Sequence, residues 1–221
     1  MNSSGASLGL WDRVFERVRR ELGDAPGCHD FAHTLRVLKN SERIAAEEPG
    51  CDPEVVRFGA LLHDVARPEE LASGGKLCHA ALGAEKSRHI LEEEGCKDTA
   101  FINHVSEIVR THRYRGKLKP ATLEARIVYD ADKLDSLGAF GVARAFHFAG
   151  RIGACLHNTE QEALASESYS SQDSAYREYL VKLRGLPDHL LTDSARRFAA
   201  DRAAFMRAFF DRLNEEQEGR R

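Results

Sequence analysis

The stretch Leu61-Leu62-His63-Asp64-Val65-Ala66-Arg67 decides the reading of this chain. Val55, Phe58, Leu62 and Val65 recur at helical spacing, so an apolar stripe runs into the stretch and His63 and Asp64 sit at its end or edge. Burying a charge without a partner is costly. The doublet therefore wants company, and the chain offers His33 upstream and Asp132 downstream, within Tyr129-Asp130-Ala131-Asp132-Lys133-Leu134-Asp135. One metal ion shared by these four would satisfy the need. A buried hydrogen bond between His63 and Asp64, with the other two on the surface, would satisfy it as well. Neighbours on a helix diverge by about 100°, so both reach one ion only if the helix end presents its edge to it.

Outward from this stretch the patterning is helical. A first helix is expected over 8–22, with Leu8, Trp11, Phe15, Val18 and Leu22 on one stripe, and Gly23 to Gly27 turning the chain. A second begins near His29-Asp30 and runs through Leu35, Leu38 and Ile44 to Pro49-Gly50. Cys51-Asp52-Pro53-Glu54 opens the third with a capping acid and a first-turn proline. This third helix carries His63-Asp64, and Arg67-Pro68 is expected to close it, followed by a short flexible connection containing Ser73-Gly74-Gly75. A fourth helix spans about 79–94, and Phe101, Val105, Ile108 and His112 mark a fifth. Arg113 to Lys119 forms a basic loop. The sixth helix, 122–137, turns Leu123, Ile127, Ala131 and Leu134 inward, and a seventh starts near Gly138. The hydroxyl-rich run 158–174 reads as a mobile connection. Helices resume over 176–184 and through Phe198, Phe205, Phe209 and Leu213, and a polar tail from Asn214 is expected to fray. The expected fold is an all-α bundle in one domain, 1–221, with its core at about 28–158 and the helices of 175–214 packed on it.

Composition narrows the function. With 221 residues, 42% apolar and 30% charged, the chain can bury a sizeable core. A net charge of -3 gives no general attraction to extended nucleic acid. No apolar run is long enough to span a bilayer, and residues 1–10 lack the form of a signal peptide. The five cysteines are scattered without a CxxC pair, which fits reduced thiols in a cytoplasmic protein.

Taken in order, His33-Thr34-Leu35-Arg36-Val37, Leu61-Leu62-His63-Asp64 and Asp130-Ala131-Asp132-Lys133 resemble the HD-domain phosphohydrolase superfamily over about 28–158. Ala32-His33-Thr34-Leu35-Arg36-Val37 and Asp130 to Asp135 are most similar to the small nucleotide pyrophosphohydrolases of the YpgQ/YedJ kind. The resemblance implies a helical bundle with a metal site between helices and His33, His63, Asp64 and Asp132 as ligands. His29-Asp30 is a second His-Asp doublet, but the family's ligand is His33. Asp30 is then a helix cap, and His29 a group behind the ligands. Some HD families hold a second metal on further histidines. His79 and His112 fall in the right interval, while His104 is rotated off the inward stripe, and the group most similar to this chain is expected to work with one metal. His79 and His112 are therefore entered as substrate contacts or supports of the ligands.

A histidine and aspartate set suits Mn²⁺ first, with Fe²⁺, Co²⁺, Ni²⁺, Mg²⁺ or Zn²⁺ as alternatives. A bound divalent ion brings the pKa of its water toward neutrality and polarises a phosphoryl oxygen, which suits hydrolysis of a phosphate ester or phosphoanhydride by metal-hydroxide attack. Cations must then meet the charge building on the phosphoryl group. Arg67, one turn after His63, and Lys133, next to Asp132, are the candidates, with Arg144 behind them. Glu69 and Glu70 could orient the water or protonate the leaving group; a solvated turn is their plainer role. The expected activity is a metal-dependent nucleotide diphosphohydrolase releasing pyrophosphate from a (deoxy)nucleoside triphosphate. The alternatives are a phosphatase acting on nucleoside 5′-monophosphates and an HD module that binds without turnover. The expected partner is a small nucleotide or phosphate substrate, with no membrane and no extended nucleic acid; a homodimer stays open.

Overall fold

The computed structural model describes residues 8–23, 29–113 and 118–221. These residues form α-helices and one 3-10 helix, with no strand among them, so the all-α expectation holds. Their contacts divide the chain into two compact units, Met1–Tyr129 and Asp130–Arg221. No described helix is long and apolar enough to cross a membrane.

The first unit holds α1 (Leu10–Leu22), α2 (Phe31–Ala45), α3 (Pro53–Leu62), α4 (Arg67–Ala72), α5 (His79–Glu93) and α6 (Thr99–Thr111). It also holds the start of α7 (Leu123–Leu134). Carboxylate caps set three of the starts. Asp30 accepts from the amide of His33, Asp52 from those of Glu54 and Val55, and Asp98 from those of Ala100 and Phe101. Each satisfies helix donors that would otherwise lack a partner. Pro53, in the first turn of α3, gives up an amide the helix does not use. Phe58, Leu61, Leu62, Ile90, Leu91 and Ile108 are all buried between these helices. At Gly59, a Cβ would stand 2.8 Å from Ile108 Cγ2, so the glycine is what lets α3 approach α6 so closely.

Two local expectations change here. The apolar stripe of α3 runs past its true end: the helix stops at Leu62, and residues 63–66 form a turn. Arg67-Pro68 then opens a new helix, α4, because proline is as acceptable in a first turn as after a last one. The glycines of the following connection, Gly74 and Gly75, have φ of 63° and 81°, the left-handed values a chain reversal needs. Of the expected basic loop, residues 114–117 lie outside the described residues.

The second unit holds the end of α7, α8 (Gly138–Arg151), α9 (Glu160–Ala165), α10 (Ala175–Val181), the 3-10 helix Leu183–His189 and α11 (Asp193–Gln217). Phe210, Tyr179 and Tyr176 stack in its core, with ring centroids 4.4 Å apart for Tyr179 and Phe210 and 5.8 Å for Tyr176 and Phe210. The hydroxyl-rich run is packed rather than an open connection. Thr159 and Glu162 cap α9 reciprocally. Ser174 donates to Asn158 Oδ1 at 2.6 Å, and the Tyr169 amide donates to Asp173 at 2.7 Å. Hydroxyl and amide side chains that look solvated in sequence here bond back to their own backbone and to each other. The helix α11 continues to Gln217, three residues past the point where the tail becomes polar.

Candidate metal centre

Asp64 is the middle of a histidine cluster inside the first unit. It is 1% exposed, and His33 and His63 are 0% exposed. Its Oδ2 lies 2.9 Å from His29 Nδ1 and 3.6 Å from the Nε2 atoms of both His33 and His63. Its Oδ1 lies 3.4 Å from His112 Nε2 and 3.7 Å from His79 Nε2. Four helices or their ends supply these groups. His29 and His33 stand at the start of α2, where the Asp30 cap holds the His33 amide at 2.8 Å. His63 and Asp64 come from the turn after α3, His79 is the first residue of α5, and His112 directly follows α6. His63 still has helical backbone angles, φ -54° and ψ -38°, so the two neighbours meet by presenting the edge of the helix end, their polar atoms 3.6 Å apart.

The imidazoles are oriented by their other nitrogens. His63 Nδ1 donates to the Ala60 carbonyl at 2.7 Å, and His112 Nδ1 to the Val109 carbonyl at 2.6 Å, since a carbonyl can only accept. His79 Nδ1 lies 2.9 Å from Glu70 Oε2, which favours the proton on that nitrogen. Burial keeps His79 neutral, with its pKa brought down to about 4. The Nε2 atoms of His79 and His112 face each other 3.2 Å apart, with Asp64 Oδ1 beside them. That oxygen is buried, with Arg67 Nε 3.2 Å and His112 Nε2 3.4 Å from it. Buried imidazole nitrogens and a carboxylate oxygen that converge on one place can offer their lone pairs to a cation. The donor set, imidazole nitrogen and carboxylate oxygen, fits a divalent ion of borderline or hard character. Two groups within the first unit bring their ligand atoms within 4.8 Å of one another: His29, His33 and Asp64, and Asp64, His79 and His112.

Asp64 stays ionised. Burial opposes its charge, but Arg67, His63 and hydrogen bonds with His112 and His29 outweigh burial and hold its pKa well below the ordinary carboxylate value. Arg67 Nε is 3.2 Å from Asp64 Oδ1, and its Nη1 pairs with Glu70. Glu70, 8% exposed, thus sits between His79 and Arg67, and Glu69 Oε1 is held by Lys86 at 2.6 Å. The second unit carries Asp132 and Lys133 on α7 and Arg144 on α8. Lys133, 4% exposed, lies 2.9 Å from Asp132 Oδ2, and Arg144 lies 2.6 Å from Asp135.

The sequence entered His79 and His112 as substrate contacts or supports of the ligands, and the structure brings both beside Asp64, a meeting no local pattern announces because the two residues are 33 apart. His104 turns away to Glu124 Oε2, 3.3 Å distant. Asp130 points into its own unit, where Thr192 Oγ1 donates to it at 2.7 Å and the amides of Leu191 and Thr192 also bind it.

The chain is similar to known proteins over nearly its whole length. The HD domain model matches residues 30–137. The uncharacterized protein YpgQ of Bacillus subtilis (strain 168) is 32% identical over 212 residues, covering 91% of each chain. A predicted HD superfamily hydrolase from an uncultured Thermotogales bacterium is 30% identical with a TM-score of 0.66, over 93% of this chain and 92% of that one. The structure of B. subtilis YpgQ in complex with ADP is 29% identical with a TM-score of 0.72, over 94% of each chain. An HD-superfamily hydrolase from Bacillus thuringiensis is 26% identical with a TM-score of 0.72, over 94% of this chain and 96% of that one. With His33, His63 and Asp64 buried in one cluster and likeness extending over nearly its whole length, this chain belongs to the HD-domain family and is a hydrolase of that superfamily.

Proposed function

We propose that this hydrolase is a metal-dependent nucleotide phosphohydrolase that splits a (deoxy)nucleoside triphosphate into monophosphate and pyrophosphate. It would use one divalent ion, Mn²⁺ foremost, on His33, His63, Asp64 and Asp132. The observation that carries the reading is the buried convergence of His33, His63 and Asp64, with both Nε2 atoms 3.6 Å from Asp64 Oδ2 and 3.2 Å from each other. Asp132 joins the set on the order of its motif. The ADP in the YpgQ structure supports a nucleotide as substrate class. The free Cys51, Cys78, Cys96 and Cys155 suit a cytoplasmic setting.

When bound, such an ion activates water and polarises a phosphoryl oxygen. The residues of the chain have their own tasks. His29 holds one oxygen of Asp64, and Arg67 faces the other, so both keep the carboxylate charged and aimed. Glu70 keeps His79 in one tautomer and Arg67 in place, a support for the site beside the proton transfer considered from sequence. Lys133 is the cation assigned to the phosphoryl charge, with Arg144 held further along by Asp135.

A second reading has a specific observation in its favour. The facing Nε2 atoms of His79 and His112 beside Asp64 Oδ1 offer a position for a further ion. Metal content at saturation separates one ion per chain from two.

The test is turnover. Protein loaded in turn with Mn²⁺, Fe²⁺, Co²⁺, Ni²⁺, Mg²⁺ and Zn²⁺ is offered nucleoside mono-, di- and triphosphates, and pyrophosphate and orthophosphate are measured separately. Pyrophosphate from triphosphates is the expected result. Orthophosphate from 5′-monophosphates would replace this reading with the phosphatase, and tight metal binding without any turnover would leave a binding module.

A further inference from the structure

Outside the cluster, one lysine is saturated in a way its exposure does not call for. Lys86 lies on α5 two turns beyond His79, and its ammonium has three donors. It meets three oxygens from three different places: Glu21 Oε2 on α1 at 2.5 Å, Glu69 Oε1 on α4 at 2.6 Å, and the carbonyl of Val65 at 3.1 Å. Glu21 is in turn bound by Arg17 at 2.6 Å. The third contact is the informative one. Val65 is fully buried and follows Asp64 directly, inside the turn of residues 63–66 that carries His63 and Asp64.

We propose that Lys86 is a positioning residue for the metal centre, acting through the turn of residues 63–66. The turn's own hydrogen bonds, Val65 amide to Leu62 carbonyl and Arg67 amide to Asp64 carbonyl, define its curvature. They do not fix its direction relative to α5 and α2, which bring His79 and His33. Lys86 does so by holding the peptide next to Asp64 and the first turn of α4 at once. Glu69 then serves as counter-charge to Lys86. The proposal rests on the metal reading above.

The experiment measures Mn²⁺ binding by electron paramagnetic resonance and thermal stability in the full chain, for wild type, Lys86→Met, Lys86→Arg and Glu21→Gln. Lys86→Met is expected to weaken Mn²⁺ binding by about 10–100-fold, the usual effect of losing a support behind metal ligands. Lys86→Arg, which keeps charge and donors, should recover part of the loss. Glu21→Gln should lower the melting temperature and leave the Mn²⁺ dissociation constant within about twofold, because the bond to Val65 stays. A purely structural lysine would lower stability in Lys86→Met and leave Mn²⁺ affinity unmoved, which would overturn the proposal. Lys86→Gln withdraws the donor from Val65 while keeping a polar group between the acids, and gives the same reading should Lys86→Met not fold. Wild type without stoichiometric Mn²⁺ binding would overturn the metal reading and this proposal together; wild-type binding with unchanged Lys86 variants overturns this proposal alone.

Discussion

Replacing Asp64 by asparagine changes one oxygen to an amide, keeps the volume, and removes the charge at the centre of the cluster. Two costs follow, and they separate in a melting experiment. The first is felt without metal. Asp64 loses a charged contact with His29 at 2.9 Å and an ion pair with Arg67 at 3.2 Å. Contacts involving a charged group contribute roughly 1.5–3 kcal/mol each. The asparagine oxygen can still accept from His29, and Arg67 keeps Glu70, so no charge is left buried alone. The net loss is about 1–3 kcal/mol, or a fall of roughly 2–12 °C at 2–4 °C per kcal/mol for a chain of this size. The second cost appears with metal. Mn²⁺ at a hundredfold excess over its dissociation constant stabilises a folded protein by about 2.7 kcal/mol, which is roughly 5–11 °C here. Wild type should show that upward shift and lose it on chelation; Asp64→Asn should show none, and no turnover. The assay is differential scanning fluorimetry with and without Mn²⁺, checked by far-ultraviolet circular dichroism. If the variant keeps the Mn²⁺-dependent shift, Asp64 is not a ligand. If its helix content collapses, the carboxylate is chiefly structural.

Gly59→Ala should destabilise by about 1–3 kcal/mol, read from the denaturant midpoint, because the new methyl meets Ile108 at 2.8 Å and packed helices do not part cheaply; an unchanged midpoint would mean that α3 and α6 slide freely. Burial opposes the charge of Glu21, but hydrogen bonds from Lys86 and Arg17 outweigh it and hold its pKa below the ordinary value. A depressed carboxylate contributes stability above its unfolded pKa and loses it as pH falls through the folded one. The acid limb of the stability profile, below about pH 4.5, should therefore flatten in Glu21→Gln, and an identical limb would remove Glu21 from that account.

The sequence by itself determined the helical class and most helix starts, and it singled out His63 and Asp64 for a closer look. These are local quantities. Carboxylate caps at Asp30, Asp52 and Asp98 and the apolar spacing of α3 and α6 follow from chemistry within a few residues. His63-Asp64 was legible as a costly pair for the same reason. The end of α3 was not, because Val65 continues the stripe while the chain has already turned, and Pro68 reads alike after one helix and at the start of another. Only the tertiary structure decided what surrounds Asp64. His29, His79 and His112 lie far apart along the chain and meet at one carboxylate because α2, α5 and α6 pack beside the turn. Lys86 could not be singled out at all: its acceptors come from α1, α4 and a backbone carbonyl, and no spacing within one helix encodes them. The candidate metal centre was pointed to by residues that burial makes expensive, and its histidines are brought together by helix packing, which no local pattern records.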